Sequence, residues 1–119
     1  MESSNDFGKF GEQMAVEHLL GNGYAILERN YRYLKAEVDI IARKGDTLAI
    51  VEVKSRNMGF LEDILDTVNA KKVKLLTMAA DHYVQENDLD VEVRFDVITV
   101  IKTGSGIHLE HLENAFFHF

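Results

Sequence analysis

Two β-prone runs separated by three residues constrain this chain more than any other feature. Glu37-Val38-Asp39-Ile40-Ile41-Ala42-Arg43 and Thr47-Leu48-Ala49-Ile50-Val51-Glu52-Val53-Lys54 flank Lys44-Gly45-Asp46. Glycine at the first central position of a two-residue turn suits a type II′ hairpin. With the turn centred on Gly45-Asp46, opposed residues have numbers that sum to 91. Asp39 then faces Glu52, and Glu37 faces Lys54, with Cβ atoms about 4.5–5.5 Å apart. The second run is apolar enough for an interior strand, so the charges inside it require partners.

Two opposed carboxylates repel unless one is protonated or a cation lies between them. Magnesium resolves the conflict economically, because it takes oxygen ligands, often one or two carboxylates, and leaves its other positions to water and phosphate. Alternation sets Glu52 and Lys54 on one face. The lysine can there hold or deprotonate an attacking water, or offset charge on phosphoryl oxygens. Asp39 and Glu52 as metal ligands with Lys54 as catalytic group form the minimum set for phosphodiester hydrolysis with Mg²⁺, or with Mn²⁺ in its place. The competing reading of the same residues is a solvated hairpin face on which Lys54 bridges Glu37.

The 119 residues fit one domain, 1–119, with no room for a second core. Phe7 to Leu20 reads as a helix capped by Asn5 or Asp6 and stopped by Gly21 and Gly23. Tyr24–Tyr33, Glu37–Arg43 and Thr47–Lys54 read as strands, and a loop follows around Met58-Gly59-Phe60. Asn69 caps a second helix with Val73, Leu76, Ala80, Tyr83 and Val84 as its buried stripe. Val91–Ile101 is a further strand, and Ile107–Leu109 a short edge strand. The resulting order, α-β-β-β-α-β-β, predicts an α/β domain with a mixed sheet flanked by helices. The absence of cysteine excludes disulfides and thiolate chemistry. No apolar run reaches the roughly 20 residues of a membrane span, and the polar start is unlike a signal peptide, so the expected location is cytoplasmic.

The pattern Glu37-Val38-Asp39-Ile40-Ile41-Ala42 followed by Val51-Glu52-Val53-Lys54-Ser55-Arg56 resembles the D…(D/E)-x-K signature of restriction-endonuclease-like nucleases. Further blocks are Gly8-Lys9-Phe10-Gly11-Glu12, Arg29-Asn30-Tyr31-Arg32, Arg94-Phe95-Asp96-Val97 and Glu110-His111-Leu112-Glu113-Asn114-Ala115-Phe116. With these, the chain from Gly8 to Phe116 resembles the bacterial YraN-like family assigned to that fold. The resemblance implies a restriction-endonuclease-like core, α-β-β-β-α-β, with a metal site at Asp39 and Glu52 and Lys54 as the catalytic lysine. Archaeal Holliday-junction resolvases share the fold and use a glutamate on the first helix, a position that Glu12 matches. Glu12 and Glu37 are accordingly expected to assist catalysis.

The total charge of −7 argues against a nucleic-acid partner, but its distribution argues otherwise: ten Lys/Arg against seven Asp/Glu between Arg29 and Lys74 leave a local +3, and −10 elsewhere. Arg32, Arg56, Lys71 and Lys72 are the candidate phosphate contacts. Arg29-Asn30-Tyr31-Arg32-Tyr33-Leu34-Lys35 interleaves basic and aromatic residues as nucleic-acid surfaces do, or forms an ordinary strand with one solvated face. Lysines 71, 72 and 74 open a helix whose dipole disfavours cations, which a phosphate would compensate. The five histidines read as scattered surface or packing residues. The aromatic tail Ala115–Phe119 either packs back or forms a dimer contact. The leading expectation is a Mg²⁺-dependent endonuclease acting on DNA, including branched intermediates, for which resolution would require a two-fold homodimer. Its alternatives are a nucleic-acid-binding or adaptor module with a relict site, and a protein-interaction domain.

Overall fold

The computed structural model describes residues 4–57 and 69–115. Helix α1 (Ser4–Gly21) is followed by strands β1 (Ala25–Tyr33), β2 (Ala36–Lys44) and β3 (Thr47–Asn57). Helix α2 (Ala70–Glu86) then leads to strands β4 (Glu92–Thr103) and β5 (Gly106–Leu112). The strands form one sheet in sequence order. Every neighbouring pair is antiparallel except β3–β4, which is parallel and needs the long crossover that contains α2. The expected mixed α/β architecture is therefore present.

Each sheet face carries one helix. Val38, Ile41, Leu48, Ile50 and Val97 pack with Leu76, Ala79, Ala80 and Tyr83 of α2. Ile40, Ala42, Ala49, Val51, Ile98 and Val100 pack on the other face with Ala15, Val16 and Leu19 of α1. Burial on both faces explains why β3 and β4 read as continuous apolar runs instead of alternating ones. The β2–β3 hairpin has the expected register, from Lys44 opposite Thr47 to Ile40 opposite Val51. Gly45 turns it at φ 59°, a conformation that costs glycine little.

Several boundaries differ from the sequence reading. Helix α1 already includes Asn5 and Asp6, so neither is its cap; Asp6 instead lies in the first turn, where the helix dipole favours an acid. Asn69 does cap α2, its Oδ1 accepting from the Lys72 amide at 2.9 Å. Strand β3 runs past Lys54 because Ser55–Asn57 pair with Val100–Lys102. Strand β5 is longer than Ile107–Leu109, pairing from Gly106 to Leu112 with β4. Tyr31 and Tyr33 do not form an open aromatic face: Tyr31 meets the Tyr83 ring edge-on at 5.2 Å and Tyr33 stacks on His82 at 4.0 Å. The loop at Met58–Phe60 and the tail from Phe116 lie outside the described residues.

A second polar cluster fastens the end of β5. Asp96 is fully buried and receives the Arg94 guanidinium at 2.9 and 2.7 Å, His111 Nε2 at 2.7 Å and the Asn114 amide at 3.1 Å. Burial pushes its pKa up, but the bonds from His111, Arg94 and Asn114 outweigh that and hold it low. The other ring nitrogen of His111 meets His18 Nε2 at 3.2 Å, so two of the five histidines tie α1 to β5. The Ala115 amide, bonded to the Phe95 carbonyl at 2.8 Å, carries the start of the tail back onto the domain. Among the described residues, no helix is long and apolar enough to cross a membrane.

Candidate active site

The sheet opens at Asp39. The β1–β2 ladder steps from Arg29–Ile40 to Tyr31–Val38 without an Asn30–Asp39 rung, and the β2–β3 ladder stops at Ile40–Val51, one rung short of Asp39–Glu52. Side-chain alternation breaks here too: Val38 and Ile41 both reach the α2 face although they are three positions apart, a step that alternation sends to opposite faces. Asn30 adopts φ 54°, a left-handed conformation that asparagine tolerates and most strand residues do not. The Asp39 carboxylate fills the gap in the second ladder, Oδ2 accepting from the Val53 amide at 2.7 Å.

Glu52 lies across this opening and is almost fully buried. Its Oε1 accepts from two ammonium groups, Lys54 Nζ at 3.2 Å and Lys72 Nζ from the first turn of α2. Burial, the Glu52 charge and the more distant Glu12 charge push the Asp39 carboxyl up to about 7, against the opposing Val53 hydrogen bond and Lys54. Desolvation lowers the Lys54 pKa, helped by the neighbouring Lys72 and opposed by Glu52. Burial disfavours the Lys72 charge as well, but its bond to Glu52 prevails and raises its pKa. Thr99 pairs with Lys54 across the parallel ladder, and its buried Oγ1 has no hydrogen-bond partner among the described residues. An orphaned hydroxyl costs about 1–3 kcal/mol, which a bound water relieves.

Glu12 reaches the site because Gly11 lets α1 approach β3: a Cβ at Gly11 would lie 2.0 Å from Ser55 Oγ. Glu12 Oε1 accepts from Arg29 at 3.3 Å and from Asn30 Nδ2 at 3.1 Å, while Gln13 Oε1 accepts from Arg29 at 3.1 Å. Two clefts meet at Glu37 and Asp39. The one on the α1 side, about 810 Å³, is lined by Lys9, Arg29 and Arg56 as well as Glu12. The other, about 510 Å³, is lined by Lys35, Lys71, Lys72 and Glu52.

The structure thus gathers Asp39, Glu52, Lys54, Lys72 and, from the other side, Glu12. Glu37 and Arg32 pair with each other at 3.2 Å on the surface, so Arg32 is taken by an acid and Glu37 does not bridge Lys54. Arg56 donates to the Ser55 carbonyl at 2.8 Å at the rim of the α1-side cleft, and Lys71 stands free of Glu52 at the rim of the other. The helix-dipole cost at Lys72 is compensated by Glu52. Sequence reading missed Asn30, Gln13 and Arg29 as the group that holds Glu12; asparagine inside a strand-like run was the available signal.

Among the described residues, no three His, Asp or Glu side chains converge into a cage for a metal ion. A pair of carboxylates beside open clefts fits magnesium, which needs only one or two protein oxygens and completes its sphere with water and phosphate. It does not fit structural zinc, which needs four converging ligands. His18 and His111 are occupied with each other, Asn22 and Asp96.

Comparison with known proteins matches residues 11–100 to the family described as uncharacterised protein family UPF0102. A "UPF0102 protein" of Christiangramia forsetii is 50% identical over 119 residues, covering 100% of both chains. One of Flavobacterium psychrophilum is 49% identical over the same length. A third, of Parabacteroides distasonis, is 42% identical over 117 residues, 98% of this chain and 97% of its own. The motif blocks from Gly8 onward, the mixed sheet they build and the full-length similarity agree, and the chain belongs to the UPF0102, or YraN-like, family.

Proposed function

We propose that this protein is a Mg²⁺-dependent nuclease that hydrolyses phosphodiester bonds in DNA, with a restriction-endonuclease-like core. The observation that carries the reading is the opening of the sheet at Asp39, which sets a protonated-leaning carboxyl, a buried Glu52 and a desolvated Lys54 around one spot. The element order α-β-β-β-α-β, with its single parallel junction, supports the core assignment.

Asp39 and Glu52 would hold the metal, which supplies a charge that activates water and neutralises the phosphoryl oxygens. Lys54 faces that spot from two residues beyond Glu52. Burial lowers its pKa, so Lys54 gives up its proton more readily than a solvated lysine, and the neutral amine can accept a proton from the attacking water at Nζ. Glu12, fixed by Arg29 and Asn30, adds negative potential on the opposite side of Asp39 and draws a cation inward. Lys9 and Arg56 in one cleft and Lys35 and Lys71 in the other flank the acids, so backbone phosphates on both sides of the cut find cations. That arrangement favours internal cleavage over trimming from an end.

The alternative, a nucleic-acid-binding or adaptor module, draws on the two lysines that already neutralise Glu52. Cleavage of labelled linear, flapped and four-way-junction DNA with Mg²⁺ or Mn²⁺ separates the readings, run beside Glu52→Ala and Lys54→Ala. Metal-dependent cutting that both substitutions abolish is the expected result. Metal-independent binding without cutting, unchanged in Lys54→Ala, selects the adaptor.

A further inference from the structure

Glu52 has one oxygen shared by two ammonium groups, and the second of these comes from a different element. Lys54 stands two residues along the same strand, and its side chain is mostly buried. Lys72 stands on the first turn of α2, about a third exposed in its side chain, and lines the open α2-side cleft. Its backbone amide is fixed by the Asn69 cap, so the side chain alone is free to change partners. A magnesium ion sits about 2.0–2.1 Å from a carboxylate oxygen, closer than any ammonium. A divalent ion on Glu52 Oε1 and the Lys72 ammonium on the same oxygen would therefore be like charges in contact.

We infer that Lys72 is a built-in counter-ion that holds Glu52 while the site is metal-free and gives it up when a divalent cation binds. This rests on the proposed metal site and assigns it a regulation: metal loading displaces Lys72 into the α2-side cleft. There Lys35 and Lys71 already line the wall, and a phosphate is the natural new partner for a third cation. Lys72 is a positioning residue on this account, and its effect on metal binding precedes any chemistry. The cation at a helix N-terminus, unfavourable by itself, is explained by the same exchange.

The test is Mn²⁺ binding by calorimetry at pH 7.5 without nucleic acid, on wild type, Lys72→Gln, Lys72→Met, Lys71→Gln and Asp39→Asn. Lys71→Gln removes the same charge one residue away and serves as the control for general electrostatics. Removing the competitor should tighten Mn²⁺ binding about tenfold, against about twofold or less for the control. In chelator, Lys72→Gln and Lys72→Met should melt below wild type, and saturating Mn²⁺ should close that gap, which a merely structural lysine would not allow. Mn²⁺ binding seen only in the Lys72 variants also supports the exchange. Equal tightening in Lys71→Gln, or a melting gap that persists in Mn²⁺, overturns it while leaving the metal site intact. Binding that survives Asp39→Asn, or no binding by any variant, removes the metal site and this inference with it.

Discussion

Asp39 keeps its proton up to about pH 7, roughly three units above an ordinary aspartate. The native state therefore binds more protons than the unfolded chain between about pH 4 and 7, and this residue's contribution to stability falls as pH rises through that window. The full swing is up to about 4 kcal/mol. Urea denaturation in chelator should show a stability loss from pH 5 to pH 8 that Asp39→Asn largely removes. Added Mg²⁺ should flatten the same slope by favouring the ionised form. Asp96 has the opposite sign. Its pKa is depressed, so the stability it contributes is present above the unfolded value near pH 4 and is lost as pH falls below it. Asp96→Ala leaves Arg94 with only the Tyr24 hydroxyl and Glu113 and takes the acceptor from the Asn114 amide and His111, and should cost about 1–3 kcal/mol at neutral pH, measured in urea.

The contact of α1 with β3 is a matter of one missing Cβ. Gly11→Ala pushes against Ser55 Oγ and should destabilise by about 1–3 kcal/mol, with Glu12 drawn away from Asp39. Adding Ser55→Ala removes the nearest atom and should recover part of the loss in a double-mutant cycle, although Ser55 Cβ, at 3.2 Å, still crowds. At this scale the sequence was informative where local chemistry rules. Gly45 set the hairpin register as far as Ile40 opposite Val51, and Asn69 set the start of α2; that the ladder would open one rung further, with the Asp39 carboxylate on the Val53 amide, had no local signal. It was silent where a residue's neighbour is distant. Ser55–Asn57 have no strand signal beyond their pairing with β4, and the polar letters of β5 hide a strand whose His111 is satisfied by Asp96. Asn5 and Asp6 are good caps that the helix overran. The aromatic residues of β1 looked outward by composition, yet Tyr31 and Tyr33 had rings of α2 to meet.

For the molecule as a whole, the acidic total charge and the cation-lined clefts make opposite demands on a polyanion. Binding should accordingly be strongly salt-dependent. Replacing Lys35 and Lys71 by glutamate should weaken DNA binding at every sequence and lower the slope of log affinity against log salt by about 1 per lost phosphate contact. Fluorescence anisotropy at several salt concentrations checks this, and an unchanged slope would place the DNA elsewhere.

The one parallel junction carries a kinetic consequence. Asp39 and Glu52 belong to a hairpin closed by two residues, a unit that forms in about 1–10 μs. Thr47 and Glu92 are 45 positions apart, and their ladder forms only after α2 has carried the chain across. Loop closure over that distance makes the β3–β4 pairing the slow event in folding. During synthesis the two acids meet early, exposed and unshielded, and β4 seals the strand that bears Glu52 and Lys54 last. A chain interrupted before β4 would display the charges of the site without the walls that give them chemistry.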